Sequence, residues 1–224
     1  MDNPSFTPAS RTQASLLAPL EKKALLWLAH RMPAWVSSDH LTLLGFTAML
    51  AAGGFYALAR WDPRALLLVI GCLILNWFGD SLDGTLARVR NCQRPRYGFY
   101  VDHVVDAFGT SALLGGLAIS GYMHYLVALG VLIAYLLVSI EVYLATYTLG
   151  HFQLSFGKMS PTELRILLSI GNLVLLVKPI VTILGTRYRL YDVGGVIAMI
   201  GLTFTVIFCA IRNTKRLYDA ERLS

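Results

Sequence analysis

Charge is what this chain has least of. Only 14% of its 224 residues are Asp, Glu, Lys or Arg, while 56% are hydrophobic. So few charges cannot cover a soluble domain of this length, which excludes a free globular protein and leaves a bundle of membrane helices. Cysteine is scarce as well. Cys72, Cys92 and Cys209 are scattered, with no CxxC pair and no neighbouring His. This excludes a disulfide framework and a thiolate metal site, leaving three reduced structural thiols. Residues 1–15 contain no apolar run ahead of a small-residue cleavage site, so no secretory signal is expected. A basic surface interleaved with aromatics is missing too, which excludes nucleic acid as a partner. The formal charge of +6 is assigned to topology and to anionic lipid headgroups.

Long apolar sequence is abundant. Six segments can be read, at about 40–59, 65–89, 98–120, 123–149, 162–184 and 191–211. Their connections are mostly short, so 40–211 reads as one domain, between an N-terminal segment 1–39 and a basic tail 212–224. The expected fold is an all-α integral membrane protein. Six transmembrane helices are preceded by an amphipathic helix lying in the membrane interface. In that first helix Leu17, Leu20, Ala24, Trp27 and Leu28 share an arc opposite Lys22, Lys23 and His30, although Glu21 and Leu26 interrupt the pattern. Lys178, beside Pro179, is expected inside the fifth span, snorkelling outward. With both termini on one side, fourteen Lys and Arg fall there, among them Arg11, Lys158 and Arg212, against four on the other side. The positive-inside rule makes the richer side, and both termini, cytoplasmic.

Against this apolar background four aspartates stand out, in the string DSLDGTLARVRNCQRPRYGFYVDHVVDAFG from Asp80. Residues 65–79 reach about 22 Å as helix, short of a hydrocarbon core of about 30 Å, so Asp80 lies at membrane depth. At about 100° per residue Asp80, Asp83, Gly84 and Ala87 share one helical face. Gly98, Asp102 and Asp106 follow at i, i+4 and i+8 on the next span. The turn between them makes the helices antiparallel neighbours, so the two stripes can face each other. A carboxylate at this depth costs several kcal/mol unless it is paired or binds a cation. Oxygen ligands in this number suit Mg²⁺ first and Mn²⁺ second. Two such ions about 4 Å apart would grip a diphosphate. His103 lies one helical step off the aspartate face and reads as packing. Gly84, Ala87 and Gly98 leave the faces bare for a ligand or for close helix packing. Arg88, at the end of its span, is placed to neutralise phosphate oxygens or to set topology.

The pattern Asp80-x2-Asp83-Gly84-x2-Ala87-Arg88-x9-Gly98-x3-Asp102-x3-Asp106 resembles the signature of the CDP-alcohol phosphotransferase family, and all eight fixed positions match. The resemblance implies a membrane enzyme that moves a phosphoalcohol from a CDP-linked donor to an acceptor hydroxyl and releases CMP. It implies that Asp80, Asp83, Asp102 and Asp106 ligate two metals, with Asp106 also the general base. Gly84 and Ala87 would border the cytidine, and Arg88 and Gly98 would line the nucleotide and diphosphate site, with Asp80 and Asp83 beside them. A homodimer whose active site opens to the cytoplasmic leaflet is implied as well. CDP-diacylglycerol is the expected donor, in phospholipid synthesis at a bacterial inner membrane. CDP-choline or CDP-ethanolamine with diacylglycerol is the alternative. One departure is Asp39, where many relatives carry Asn before Leu41-Thr42; it is expected to cap a helix.

The acceptor is less legible. Glu141, Tyr147, Glu163 and Arg165 are candidates for its pocket, with Tyr143 and Thr148 near the same end. Ser160-Pro161-Thr162-Glu163 also has the chemistry of a helix start. A divalent-cation transporter and an inactive membrane scaffold are the readings of another class. The first would leave the Gly-x2-Ala-Arg segment unexplained, and the second the intact aspartate set.

Overall fold

The computed structural model describes residues 10–12, 18–153 and 161–222, without the side chains of 10–12 and 151–153. Leu17, Lys158 and Ser160, named above, lie outside the described residues. The helical part begins with α1 (Ala18–Arg31), and a tight turn leads to α2 (Ser38–Leu58). Ser37 caps α2: its hydroxyl accepts from the His40 amide at 3.3 Å, and its own amide donates to His40 Nδ1 at 3.2 Å. The cap is therefore Ser37 and not Asp39, which lies inside the first turn and pairs with Arg94.

Next come α3 (Ala65–Val89), α4 (Pro95–Ser120), α5 (Tyr125–Leu149), α6 (Pro161–Val177) and α7 (Leu190–Ala220). Pro95 begins α4, where a missing amide costs nothing, and Gly121 ends it in the left-handed conformation. Short strands accompany the helices. β1 (Ser10–Thr12) runs parallel to β2 (His151–Gln153), with Ser10 opposite His151. β3 (Ile180–Ile183) and β4 (Thr186–Arg189) form an antiparallel hairpin closed by Leu184 and Gly185, at φ 50° and 82°.

Five of these helices, α2, α3, α4, α5 and α7, are long and apolar enough to cross a membrane. The chain is a helical integral membrane protein; among the described residues the remaining expected span, α6, is shorter than these five. The segment expected as a span over 162–184 is helical only to Val177, because Pro179 cannot continue the hydrogen-bond ladder and constrains the residue before it. Its apolar remainder is spent in the hairpin. Seventeen residues give α6 a length of about 25 Å. Lys178 accordingly stands exposed at the end of the helix rather than within it. At the other extreme, α7 continues through 212–220, which the sequence reading made a tail; Arg, Lys and Leu are good helix formers and nothing there breaks the pattern.

The central helix is α2, packed between α3 and α4; α5 lies against α4 and α7, and α6 against α3. Glycines permit the closest crossings. A Cβ on Gly79 would lie 2.5 Å from the Leu41 carbonyl of α2, and one on Gly116 would strike the backbone of Gly53. One core cluster, with Tyr56, Leu66, Val69, Leu73, Leu117 and Leu175, fills the half of the bundle away from the aspartates. A second, with Leu25, Ala29, Leu41, Leu82 and Leu86, seats α1 on α3. Leu25 and Ala29 face the protein, with Leu28 of the expected apolar arc packed beside them; Leu20 and Trp27 of that arc point outward, with Arg31 stacked 4.0 Å over the Trp27 ring.

Candidate active site

Asp83 is the most enclosed of the four aspartates, only 7% exposed. Its carboxylate accepts from the Thr42 hydroxyl at 2.6 Å and from the Gly84 amide, and its carbonyl accepts from Ser38 at 3.0 Å. The start of α2 therefore fixes the middle of the aspartate face of α3. Thr42 and Ser38 are one helical turn apart, and neither was given a role from the sequence. Their signal was a pair of hydroxyls at i, i+4 entering an apolar helix.

Asp80 is held from another direction. Arg165 of α6 pairs with its carboxylate and donates through Nε to Asn76 Oδ1 at 2.7 Å, while Asn76 Nδ2 donates to the Gly45 carbonyl at 3.0 Å. One polar chain thus runs from α2 through α3 to α6 and ends on a motif carboxylate. On α4, Asp106 is open to the surroundings and lies within Coulombic reach of Asp80, Asp83, Asp102 and Arg165. Asp102 lies on the same side, close enough for its charge to be felt by Asp83. The structure brings the four aspartates into one electrostatic neighbourhood across α3 and α4.

The two glycines of the motif differ from the packing glycines. A Cβ on Gly98 would meet nothing within 4 Å, and one on Gly84 would meet only Arg88 Nη1, at 3.5 Å. Neither is small in order to let helices touch within this chain; both leave room. Ala87 is half-buried beside them on α3. Arg88 donates to Thr85 Oγ1 at 3.0 Å, which turns its guanidinium back along the same helix. His103 bonds the Phe99 carbonyl and lies edge-on to Tyr143, ring centroids 4.7 Å apart, in agreement with a packing role.

The residues expected at an acceptor pocket are not brought together. Arg165 reaches the aspartates, and Glu163 lies half-buried in the first turn of the same helix. Glu141 instead accepts from Asn213 Nδ2 at 2.6 Å, which ties it to α7. Tyr147 points outward, 90% exposed. Tyr143, one turn earlier, is the tyrosine that faces α4, through Phe99 and His103.

Four carboxylates that share one neighbourhood, offering only oxygens, fit a hard divalent cation, and Arg165 offsets only part of their charge. Among the described residues no three His, Cys, Asp or Glu side chains close into a ligand cage. The convergence expected from the sequence is therefore looser than a preformed metal nest. The reason is visible in the partners: Asp80 is turned to Arg165, and Asp83 to Thr42 and the Gly84 amide.

The turn between α3 and α4 does not make them the packed neighbours expected: each packs on α2, and their aspartates come within Coulombic reach of one another beside the bare glycines. Residues 35–207 match the CDP-alcohol phosphatidyltransferase family, and the chain belongs to that family. It is a transferase of phosphate-containing groups in phospholipid synthesis, from a family that is generally dependent on divalent metal. The fold is similar to that of a phosphatidylinositol phosphate synthase from Mycobacterium tuberculosis solved with CDP-DAG bound. The similarity has a TM-score of 0.56 at 17% identity and covers 93% of this chain and 98% of the synthase.

Proposed function

We propose that this chain transfers the phosphatidyl group of CDP-diacylglycerol to an acceptor hydroxyl and releases CMP. The observation that carries this reading is the shared neighbourhood of Asp80, Asp83, Asp102 and Asp106 beside the open backbone of Gly84 and Gly98. These four aspartates hold two Mg²⁺ ions, with Mn²⁺ the substitute. When bound, the ions neutralise the diphosphate and the charge that develops on departing CMP. Gly84 and Ala87 border the cytidine, where a side chain would block a flat ring. Arg88 and Gly98 line the nucleotide and diphosphate, the guanidinium leaving Thr85 for phosphate oxygens. Asp106, the exposed carboxylate of the set, takes the proton of the acceptor hydroxyl as its oxygen attacks the phosphorus that carries diacylglycerol. The CDP-DAG held by the mycobacterial synthase of the same fold supports the choice of donor.

In this reading α6 makes a short sixth crossing, both termini lie in the cytoplasm, α1 rests in the interface, and the protein works as a homodimer in a bacterial inner membrane. The outward Leu20 and Trp27 of α1 and the uneven distribution of Lys and Arg support that placement. The test is CMP release by the purified protein in lipid nanodiscs with CDP-diacylglycerol, Mg²⁺ and a pool of acceptor alcohols. Release that disappears with a chelator and in Asp106→Asn is expected, and splitting the pool then names the acceptor. Release only with CDP-choline or CDP-ethanolamine plus diacylglycerol would replace the donor. Silence with every donor would overturn the reading.

A further inference from the structure

Glu21 interrupts the apolar arc of the first helix, and the structure shows what it does there. Three donors converge on its Oε1: Trp77 Nε1 at 2.8 Å, Ser81 Oγ at 3.3 Å and Thr162 Oγ1 at 2.7 Å. Two of these belong to α3 and one to α6. Trp77 lies three residues before Asp80 and Ser81 directly after it, while Thr162 lies three residues before Arg165. The carboxylate of α1 thus clips two helices together one turn from the place where Arg165 and Asp80 meet. Leu25 and Ala29 pack α1 onto the Leu82 and Leu86 region of α3. Through Thr162, Glu21 extends that grip to α6.

We propose that Glu21 is a positioning residue: by fixing the spacing of α3 and α6 it sets how firmly Arg165 holds Asp80, and so how readily Asp80 turns to a divalent cation. This rests on the reading of Asp80 as a metal ligand. A guanidinium and a metal ion compete for the same carboxylate oxygens, so whatever seats Arg165 weakens the cation at that position. The pair is poorly solvated, with side chains 14% and 32% exposed, so a small change in helix spacing changes the balance more than it would on an open surface. Asn76 holds Arg165 from within the bundle and Glu21 holds its helix from outside, through a different element. The metal site is thereby coupled to the seating of α1.

The experiment is a Mn²⁺ titration of the purified protein in nanodiscs, followed by electron paramagnetic resonance of the free ion, with CMP release measured in parallel. Removing a unit charge from contact with a ligand carboxylate is worth about tenfold in cation affinity. Arg165→Met should therefore tighten Mn²⁺ by that factor. Glu21→Ala should shift affinity the same way by about threefold, a fraction of the same charge effect. In the Arg165→Met background it should add nothing. Glu21→Gln, which keeps an acceptor oxygen, should stay near the parent protein, and Thr162→Val should move in the direction of Glu21→Ala. Turnover should fall in Glu21→Ala although the metal binds more tightly. A purely structural role would weaken metal and turnover together and would add to Arg165→Met. Unchanged or weaker Mn²⁺ binding in both Glu21→Ala and Thr162→Val, or an additive double variant, overturns the proposal. No Mn²⁺ binding by the parent protein, or equal binding by Asp80→Asn, overturns the metal reading itself and this proposal with it.

Discussion

Replacing Thr42 by Val tests whether the start of α2 is part of the site or only of the scaffold. Valine keeps the volume and branching of threonine, so the loss is confined to one hydroxyl. That hydroxyl donates to Asp83 Oδ2 at 2.6 Å and also reaches the Ser38 carbonyl at 3.1 Å. Asp83 is 7% exposed, so water cannot replace the missing donor, and among the described residues the Gly84 amide is the other donor to its carboxylate. A hydrogen bond to a charged group is worth about 1.5–3 kcal/mol, a factor of roughly ten to one hundred and fifty. Two quantities should respond. The unfolding midpoint in detergent should fall, because the carboxylate stays buried with less support. The Mg²⁺ concentration for half-maximal CMP release should change by about tenfold, because the orientation of one ligand is no longer fixed. Thr42→Ser, which restores the donor, should recover most of both. A Thr42→Val protein with parental stability and parental metal dependence would refute the role given to Thr42.

Asp106→Asn should abolish CMP release by at least about a thousandfold while CDP-diacylglycerol still binds, measured by ligand-induced thermal stabilisation, because a general base is lost and most of the donor site is not. Gly84→Leu should eliminate turnover and leave the unfolding midpoint nearly unchanged, since its Cβ meets only Arg88 Nη1 at 3.5 Å. Gly116→Leu should do the reverse first and lower stability by about 3 kcal/mol or more in the same melt, since its Cβ enters the backbone of Gly53. Asp39→Asn, the residue many relatives carry, breaks the ion pair with Arg94; both side chains are about half exposed, so the melt should shift by less than about 1 kcal/mol.

The aspartate faces were legible because helical periodicity and the cost of buried charge act on the same few residues. Asp80, Asp83, Asp102 and Asp106 therefore declared themselves without any tertiary information. The far end of α6 was not legible from hydropathy, because Ile180, Val181 and Ile183 are as apolar in a hairpin as in a span. The local signals were there, with Pro179 ending the helix and Leu184-Gly185 closing the hairpin, but their weight depends on what packs nearby. The part played by Glu21 was not legible either. Apolar spacing along a helix says nothing of a polar anchor, whereas α1 is seated by one carboxylate as well as by Leu25 and Ala29. Glu141 was chosen for its depth in the membrane, and depth cannot tell which way a side chain faces; Arg165, chosen as a cation at the opening of its helix, does reach the aspartates. Tyr147 and Tyr143 sit one turn apart on α5 and point to opposite surroundings.

The length of α6 has a consequence for the lipid around it. As the sixth crossing proposed above, a helix of about 25 Å in a hydrocarbon core of about 30 Å is short by roughly 5 Å, and such mismatch costs a fraction of a kcal/mol per Å. The surroundings relieve it by local thinning of the bilayer or by a change in the depth of the helix. The helix affected is the one that carries Arg165 to Asp80. In that proposed placement, acyl-chain length in the host membrane presses directly on the Arg165–Asp80 ion pair, in a protein whose own chemistry adds to the lipid pool.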